Sequence, residues 1–331
     1  MIECIFTIDY EIYGNGEGSL RELVFEPAKR LMALFQKGKA RFVPFVEVAE
    51  LEMLESKSAD PIIDLVKQQI QDFHREGFEL GLHLHPQWYN ARYENGRWQL
   101  DYSEYNLCTL PSKRIDQIIE RAIKYLQEVL GVHDFKPFSF RAGNWLFQPT
   151  QPLAQVLAAH GIKVDSSVFK GGLQHQHSLD YRRALRNGFY WKFTDYVDVP
   201  DANGTLLELP IYTQMVPLWK MITPKRAGLQ QKGSSLSKTG KEKLSRILDF
   251  LRFYYPLKFD FCRMTLNELI SILDIVIKED KFDPASLRPI VAIGHTKDLI
   301  DIETVNSFLS YLEQKKISIS TFDEVYQRCQ R

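Results

Sequence analysis

Apolar runs of strand length alternate along this chain with segments of helical period. The first run is Ile5-Phe6-Thr7-Ile8-Asp9-Tyr10-Glu11, and residues 25–36 then repeat apolar positions on one helical face. Pro27 is tolerated there because the first helical turn needs no donor at that position. Residues 40–46 read as a second strand, and residues 61–76 as a helix ended by Gly77. A third strand runs through residues 79–84, and a helix over 112–130 is closed by Gly131. A fourth strand leads to Arg141, a helix over 152–160 ends at Gly161, and a fifth strand reaches Asp165. Residues 195–200 and 205–211 flank Asn203-Gly204, which reads as a hairpin turn. The last units cover 288–295, 302–315 and 317–320, followed by a closing helix. Strands alternating with helices predict a parallel sheet, here an irregular (β/α) barrel of about seven parallel strands. With no internal repeat and no dividing linker, residues 1–331 are expected to form one domain.

The strand ends carry the chemistry. In Glu79-Leu80-Gly81-Leu82-His83-Leu84-His85-Pro86-Gln87-Trp88, alternation puts His83 and His85 on one face. Neutral imidazole is the commonest protein metal ligand, so two of them at a strand end suggest a metal edge. The first run ends in Asp9 and Glu11 on alternate positions. Phe138-Ser139-Phe140-Arg141-Ala142-Gly143-Asn144-Trp145 ends in an arginine, Gly161-Ile162-Lys163-Val164-Asp165 in an aspartate, and Ile290-Val291-Ala292-Ile293-Gly294-His295 in a histidine. A single Asp or Arg after a strand is ordinarily a turn former or helix cap. Five in order instead match a barrel whose reactive groups come from successive strand ends.

These five segments resemble the ordered motifs of the polysaccharide deacetylase family, carbohydrate esterases sharing homology with the nodulation chitooligosaccharide deacetylase. Thr7-Ile8-Asp9-Tyr10-Glu11 corresponds to its Thr-Phe-Asp-Asp-Gly motif, and the segment around His83 to its histidine motif. Arg141-Ala142-Gly143-Asn144-Trp145, Val164-Asp165-Ser166-Ser167 and Val291-Ala292-Ile293-Gly294-His295 correspond to the third, fourth and fifth. The resemblance covers roughly residues 3–325 and implies a metal-dependent hydrolase that removes N- or O-acetyl groups from a glycan or sugar intermediate. It implies Asp9 as base, His295 as acid, Arg141 pairing with the base, and Asp165 orienting the acid. Two departures stand out. Tyr10 replaces the usual metal aspartate, which moves the metal carboxylate to Glu11, as in relatives with a Thr-x-Asp-x-Asp/Glu motif. His-x-His replaces His-x-x-x-His, so either His85 or a water completes a site begun by Glu11 and His83. The implied cofactor is one divalent ion, zinc ahead of Co, Mn, Fe and Ni. Trp88, Trp145 and Tyr10 stand as substrate-binding aromatics.

Composition fits an enzyme with a large core, at 44% hydrophobic and 25% charged residues. Lys plus Arg and Asp plus Glu each number 42, which argues against nucleic acid or an anionic membrane as partner. Met1-Ile2-Glu3-Cys4 leads straight into a strand, and four scattered cysteines form no Cys-x-x-Cys. Cytoplasmic location and free thiols are the expectation. Three insertions interrupt the pattern. Residues 88–111 are rich in Tyr and Trp, which either stack on sugar rings or pack among themselves. Residues 170–190 hold a second His-x-His at His175 and His177, read as a solvated loop. Residues 220–246 carry eight Lys or Arg against Glu242 alone, read as a solvated loop or a lid over an anionic substrate.

Rival readings are a small-molecule amide or ureide hydrolase on the same barrel, and a glycan-binding homologue without catalysis, for which Tyr10 is the argument. The amidohydrolase barrel fits poorly, because its His-x-His belongs to the first strand and this one follows the third.

Overall fold

A computed structural model describes residues 1–184, 189–220 and 253–330. Seven parallel strands carry the architecture: β1 (Ile2–Tyr10), β2 (Val43–Glu47), β3 (Gly81–Leu84), β4 (Ser139–Ala142), β5 (Val164–Asp165), β6 (Leu206–Glu208) and β7 (Arg288–His295). Their order in the sheet is β6-β5-β4-β3-β2-β1-β7. Strand Trp191–Phe193 adds antiparallel to β6, and Ser318–Ile319 adds a short parallel pairing to β1. The sheet curls, and single parallel bridges from Ile211 to Val291 and from Asp260 to Ile293 tie loops onto β7. A distorted barrel results, as the alternation of elements predicts.

Helices α1 (Glu26–Lys37), α2 (Val48–Ser56), α3 (Ile63–Arg75), α4 (Ser112–Leu130), α5 (Gln151–Ala159), α6 (Leu266–Phe282), α7 (Ile302–Gln314) and α8 (Phe322–Cys329) accompany the strands. Strands β1 and β7 are buried almost throughout, as expected where both faces of a parallel sheet are covered. Part of the core under β1 is an edge-to-face aromatic chain: Phe6 to Phe35 at 5.1 Å, Phe35 to Phe42 at 5.2 Å, and Phe42 to Phe73 at 5.6 Å. Truncating one such buried ring typically costs about 3–5 kcal/mol, so this aromatic chain holds β1 in place.

Several expected boundaries hold within a residue or two. The helix at Ser112–Leu130 matches at both ends, and Gly131 takes φ 68°, the left-handed cap that glycine supplies. Two expectations do not hold. The hairpin centred on Asn203-Gly204 is absent: β6 pairs with Trp191–Phe193, and residues 195–200 are turns rather than a strand. Gly204 does close a turn onto Asp201 at 2.9 Å, so the turn signal is real but its strand partner lies earlier. Helix α2 has no counterpart in the periodicity reading, because Val48, Ala49, Leu51, Met53 and Leu54 are buried around several of its sides. The four cysteines are free and buried. No described helix is long and apolar enough to cross a membrane.

Of the insertions, residues 88–111 fold into short turns and the hairpin Arg92–Glu94 with Arg97–Gln99. The described part of 170–190 contains the hairpin Leu173–Gln174 with Leu179–Asp180, and His175–His177 form its turn. The basic stretch lies outside the described residues beyond Lys220.

Candidate active site

Parallel register brings the strand ends together. Asp9 on β1 lies level with His295 on β7. Glu47, His83 and Arg141 lie level with one another across β2, β3 and β4. All five belong to the C-terminal mouth, where parallel barrels place their chemistry.

Glu11 leaves β1 beside this row. Its Oε2 lies 3.2 Å from His85 Nε2 and 3.6 Å from His83 Nε2. Its Oε1 accepts from Lys297 Nζ at 2.7 Å, and the same ammonium donates to the Ile12 carbonyl at 2.9 Å. Burial alone would raise the Glu11 carboxyl, but Lys297 and the two imidazoles hold it well below the usual carboxylate range. Burial likewise opposes charge on His83, yet Asp9 and Glu11 raise it to about 9.

The donor set suits a divalent ion. One ligand atom each from Glu11, Glu47, His83 and His85 falls within 4.8 Å of the others. His83 Nδ1 donates to the Arg141 carbonyl at 2.8 Å, which leaves Nε2 free toward Glu11, the usual support of a metal-binding imidazole. His85 Nδ1 meets the amides of Asn144 at 3.1 Å and Gln87 at 3.3 Å. Gln87 Oε1 is buried without a partner, so turning that amide over gives His85 Nδ1–H an acceptor and frees Nε2.

Glu47 escaped the sequence reading, although it ends the apolar run Phe42–Val46 just as Asp9 and His295 end theirs. It is fully buried, its Oε1 caps α2 through Glu50 N at 3.3 Å, and its Oε2 has no partner. An orphaned buried carboxylate oxygen beside two imidazoles is what a cation would satisfy. Glu47→Gln is expected to weaken metal binding about 10- to 100-fold, measured by competition with a chelator. Unchanged affinity would reduce Glu47 to a helix cap.

Beside the ligand cluster, Asp9 Oδ1 accepts from Arg141 Nη1 at 2.5 Å, and Asp9 Oδ2 lies 3.4 Å from His295 Nε2. Burial opposes charge on Asp9, but Arg141, then His83 and His295, hold it below its ordinary value. Burial pushes His295 down to about 4 despite Asp9 and Asp298. Asp298 Oδ2 stands 3.6 Å from His295 Nδ1 and accepts from Arg263 Nη2 at 2.7 Å. Trp145 flanks the mouth, its ring 6.3 Å from that of His295. Lys258 Nζ sits 4.0 Å over the Trp145 ring, and burial lowers that ammonium to about 8.

The structure thus gathers Asp9, Glu11, His83, His85, Arg141, His295 and Trp145. Three expected site residues fall elsewhere. Asp165 does not orient His295: it shares its level with Phe140 on one side and Glu208 on the other, and accepts from Ser167 Oγ at 2.7 Å. By strand alternation the next residue, Ser166, faces Arg141 instead, and Asp298 takes the place beside His295. Tyr10 alternates away from Asp9 and Glu11 into the core, where its hydroxyl donates to Gln69 at 2.7 Å and its ring meets Phe73 at 5.9 Å. Trp88 is 1% exposed and packs on Trp98 at 5.1 Å, so it offers no face to a substrate. Asp298 had a weak signal, three residues after His295, whereas Arg263 had none.

No protein-family model matches the chain, and no curated protein matches its sequence. Solved structures do match. A Mycobacterium smegmatis protein described as a polysaccharide deacetylase aligns with a TM-score of 0.54 at 14% identity, over 99% of this chain and 90% of its own. The Puue allantoinase aligns at 0.50 with 12% identity, over 98% of this chain and 89% of its own. A GH57-type branching enzyme from the hyperthermophilic archaeon Pyrococcus horikoshii aligns at 0.55 with 10% identity, over 98% of this chain and 70% of its own. At such identities the likeness is one of fold. The chain has, over its full length, the distorted barrel fold of the polysaccharide deacetylase structures.

Proposed function

We propose that this protein is a metal-dependent hydrolase that removes N- or O-acetyl groups from a glycan or sugar intermediate. The observation that carries the reading is the convergence of Glu11, His83 and His85 on one point, beside an Asp9 held by Arg141 and facing His295. A divalent ion held there, zinc first, would polarise the acetyl carbonyl and bring the pKa of a water toward about 7.

The chain's own groups then divide the proton work. Asp9 Oδ1 is committed to Arg141, which leaves Oδ2 to take the proton of the attacking water. His295 Nε2, 3.4 Å from that oxygen, is neutral at rest because burial keeps its pKa near 4. It becomes an acid once Asp9 passes it a proton, and delivers that proton to the departing amine or alcohol. Asp298, steadied by Arg263, stabilises the imidazolium that forms. Trp145, half-buried at the mouth, provides the aromatic wall against which a sugar ring packs.

A small-molecule amide or ureide hydrolase is the second reading, supported by the fold match to the allantoinase. The reading of an inactive binder rested on Tyr10, which faces the core, while Glu11 beside His85 offers a carboxylate in its stead. Elemental analysis for a stoichiometric divalent ion, followed by acetate release from N- and O-acetylated sugars with ureides in parallel, tests the proposal. Ureide turnover without acetate release would overturn it in favour of the second reading.

Metal affinity should also depend on pH in one direction. The proton on His83, held to about 9 by Asp9 and Glu11 against burial, must leave before the imidazole can ligate. Affinity is therefore expected to rise by up to about tenfold per pH unit from about pH 6 to about pH 8, and to level off toward 9. A flat profile in chelator competition would remove His83 from the ligand set.

A further inference from the structure

Away from the metal site, two of the insertions meet and enclose a cleft of about 1040 Å³. Tyr102 and Tyr105 come from the insertion after β3, His177 from the one after β5, and Tyr196 and Asp198 from the segment before β6. None of these residues enters the mechanism above. The rings of Tyr102 and Tyr105 lie 5.7 Å apart, and Tyr105 continues onto His177 at 4.8 Å. Tyr102 is 51% exposed and Tyr196 59% exposed, with the Arg183 guanidinium 5.4 Å over one face of the Tyr196 ring, which leaves the other face for a ligand.

Asp198 supplies the second, independent sign of a ligand. It lines the cleft yet is only 1% exposed. Its Oδ1 lies 3.5 Å from Gln148 Nε2, while its Oδ2 is buried with no hydrogen-bond partner. A buried carboxylate oxygen left unpaired costs free energy that a donating ligand recovers. Burial also raises its carboxyl above the usual range, in keeping with that missing donor. Hydroxyl donors presented together with C–H faces for aromatic packing are the chemistry of sugar rings. Asp180, Asp195 and Asp198 line the cleft against Arg183, a balance that disfavours an anionic ligand.

We propose that this cleft binds a neutral oligosaccharide, with Tyr102, Tyr105 and Tyr196 against sugar faces and Asp198 Oδ2 accepting a ring hydroxyl. The wall it shares with the metal site is short. Asn144 touches His85 at 3.1 Å, and Gln148, four residues on, lines the cleft, a span of at most about 14 Å of chain. The cleft would therefore hold the part of a glycan distant from the acetylated unit; that placement rests on the deacetylase reading, whereas sugar binding itself does not.

The test is direct binding to the full-length protein, by calorimetry and ligand-observed NMR, with chitotetraose, cellotetraose and maltotetraose as probes. At least one is expected to bind, and Tyr196→Ala and Tyr105→Ala should each weaken it about three- to tenfold. Asp198→Asn should weaken it about tenfold, because the amide nitrogen it introduces accepts nothing. Tyr196 is 59% exposed, so its truncation leaves the fold intact, and circular dichroism checks all three variants. No binding by any probe at millimolar concentration, or equal binding by wild type, Tyr196→Ala and Asp198→Asn, would overturn the proposal. Binding lost in these variants, with no acetate released from any substrate, would support the cleft and sink the deacetylase reading instead.

Discussion

Asp9→Asn is expected to keep its metal and lose turnover by about 10²–10⁴-fold, the usual worth of a general base. Glu11→Gln is expected to do the reverse in kind, losing metal first and recovering part of its activity at high metal concentration. The two carboxylates lie two residues apart, Asp9 near the end of β1 and Glu11 just past it, so only their surroundings distinguish them. Asp9 is tied to Arg141 and faces His295, and it is not among the residues Glu11, Glu47, His83 and His85 whose ligand atoms cluster. Glu11 has one oxygen on Lys297 and the other between the two imidazoles. Elemental analysis and acetate release on both variants decide the matter. If Asp9→Asn loses its metal while Glu11→Gln retains it, the roles are exchanged. Asn in place of Asp9 fills the same space but leaves Arg141 buried without its carboxylate, so a stability loss of up to about 3–5 kcal/mol is expected as well, and turnover is compared on protein shown to be folded.

Much of this site was legible in the sequence because a parallel strand delivers its last residue to a fixed mouth. Once a run such as Ile290–Ile293 is recognised, the residue that ends it is placed without knowing any contact. His83, His85, Asp9 and His295 were found in this way, and register sets Asp9 level with His295 and His83 level with Glu47. What failed depended on which face a residue takes at the end of a strand. Asp165 and Tyr10 each sit beside a site residue in sequence but on the other face, a one-residue difference that inverts a side chain's surroundings. Trp88 failed for another reason. Whether an aromatic meets solvent depends on what folds over it, and Trp98, ten residues on, covers it. Lys297 and Arg263 act through long side chains reaching from loops, and no periodicity encodes that reach.

Arg141→Met is expected to destabilise the protein by about 3–5 kcal/mol, the cost of leaving one member of a buried ion pair alone. Arg141 is fully buried and so is its partner Asp9, which makes this unlike a surface pair. The guanidinium also donates from Nη2 to Thr7 Oγ1 at 2.9 Å and from Nε to the Ser166 carbonyl at 2.9 Å, and it lies 4.1 Å over the Phe45 ring. One side chain on β4 thus ties β1, β2 and the end of β5. Methionine keeps much of the volume but none of the donors, so Asp9 would remain buried without its cation and its carboxyl would shift upward. Arg141→Lys should recover the charge but not the fork of donors, and is expected to fall between the two in stability. The double variant Arg141→Met with Asp9→Asn separates the terms: it removes the stranded charge and should regain part of the lost stability in chemical denaturation. If the double variant is no more stable than Arg141→Met alone, the cost lies in lost packing and backbone hydrogen bonds, and the ion pair is not what holds the mouth of the barrel together.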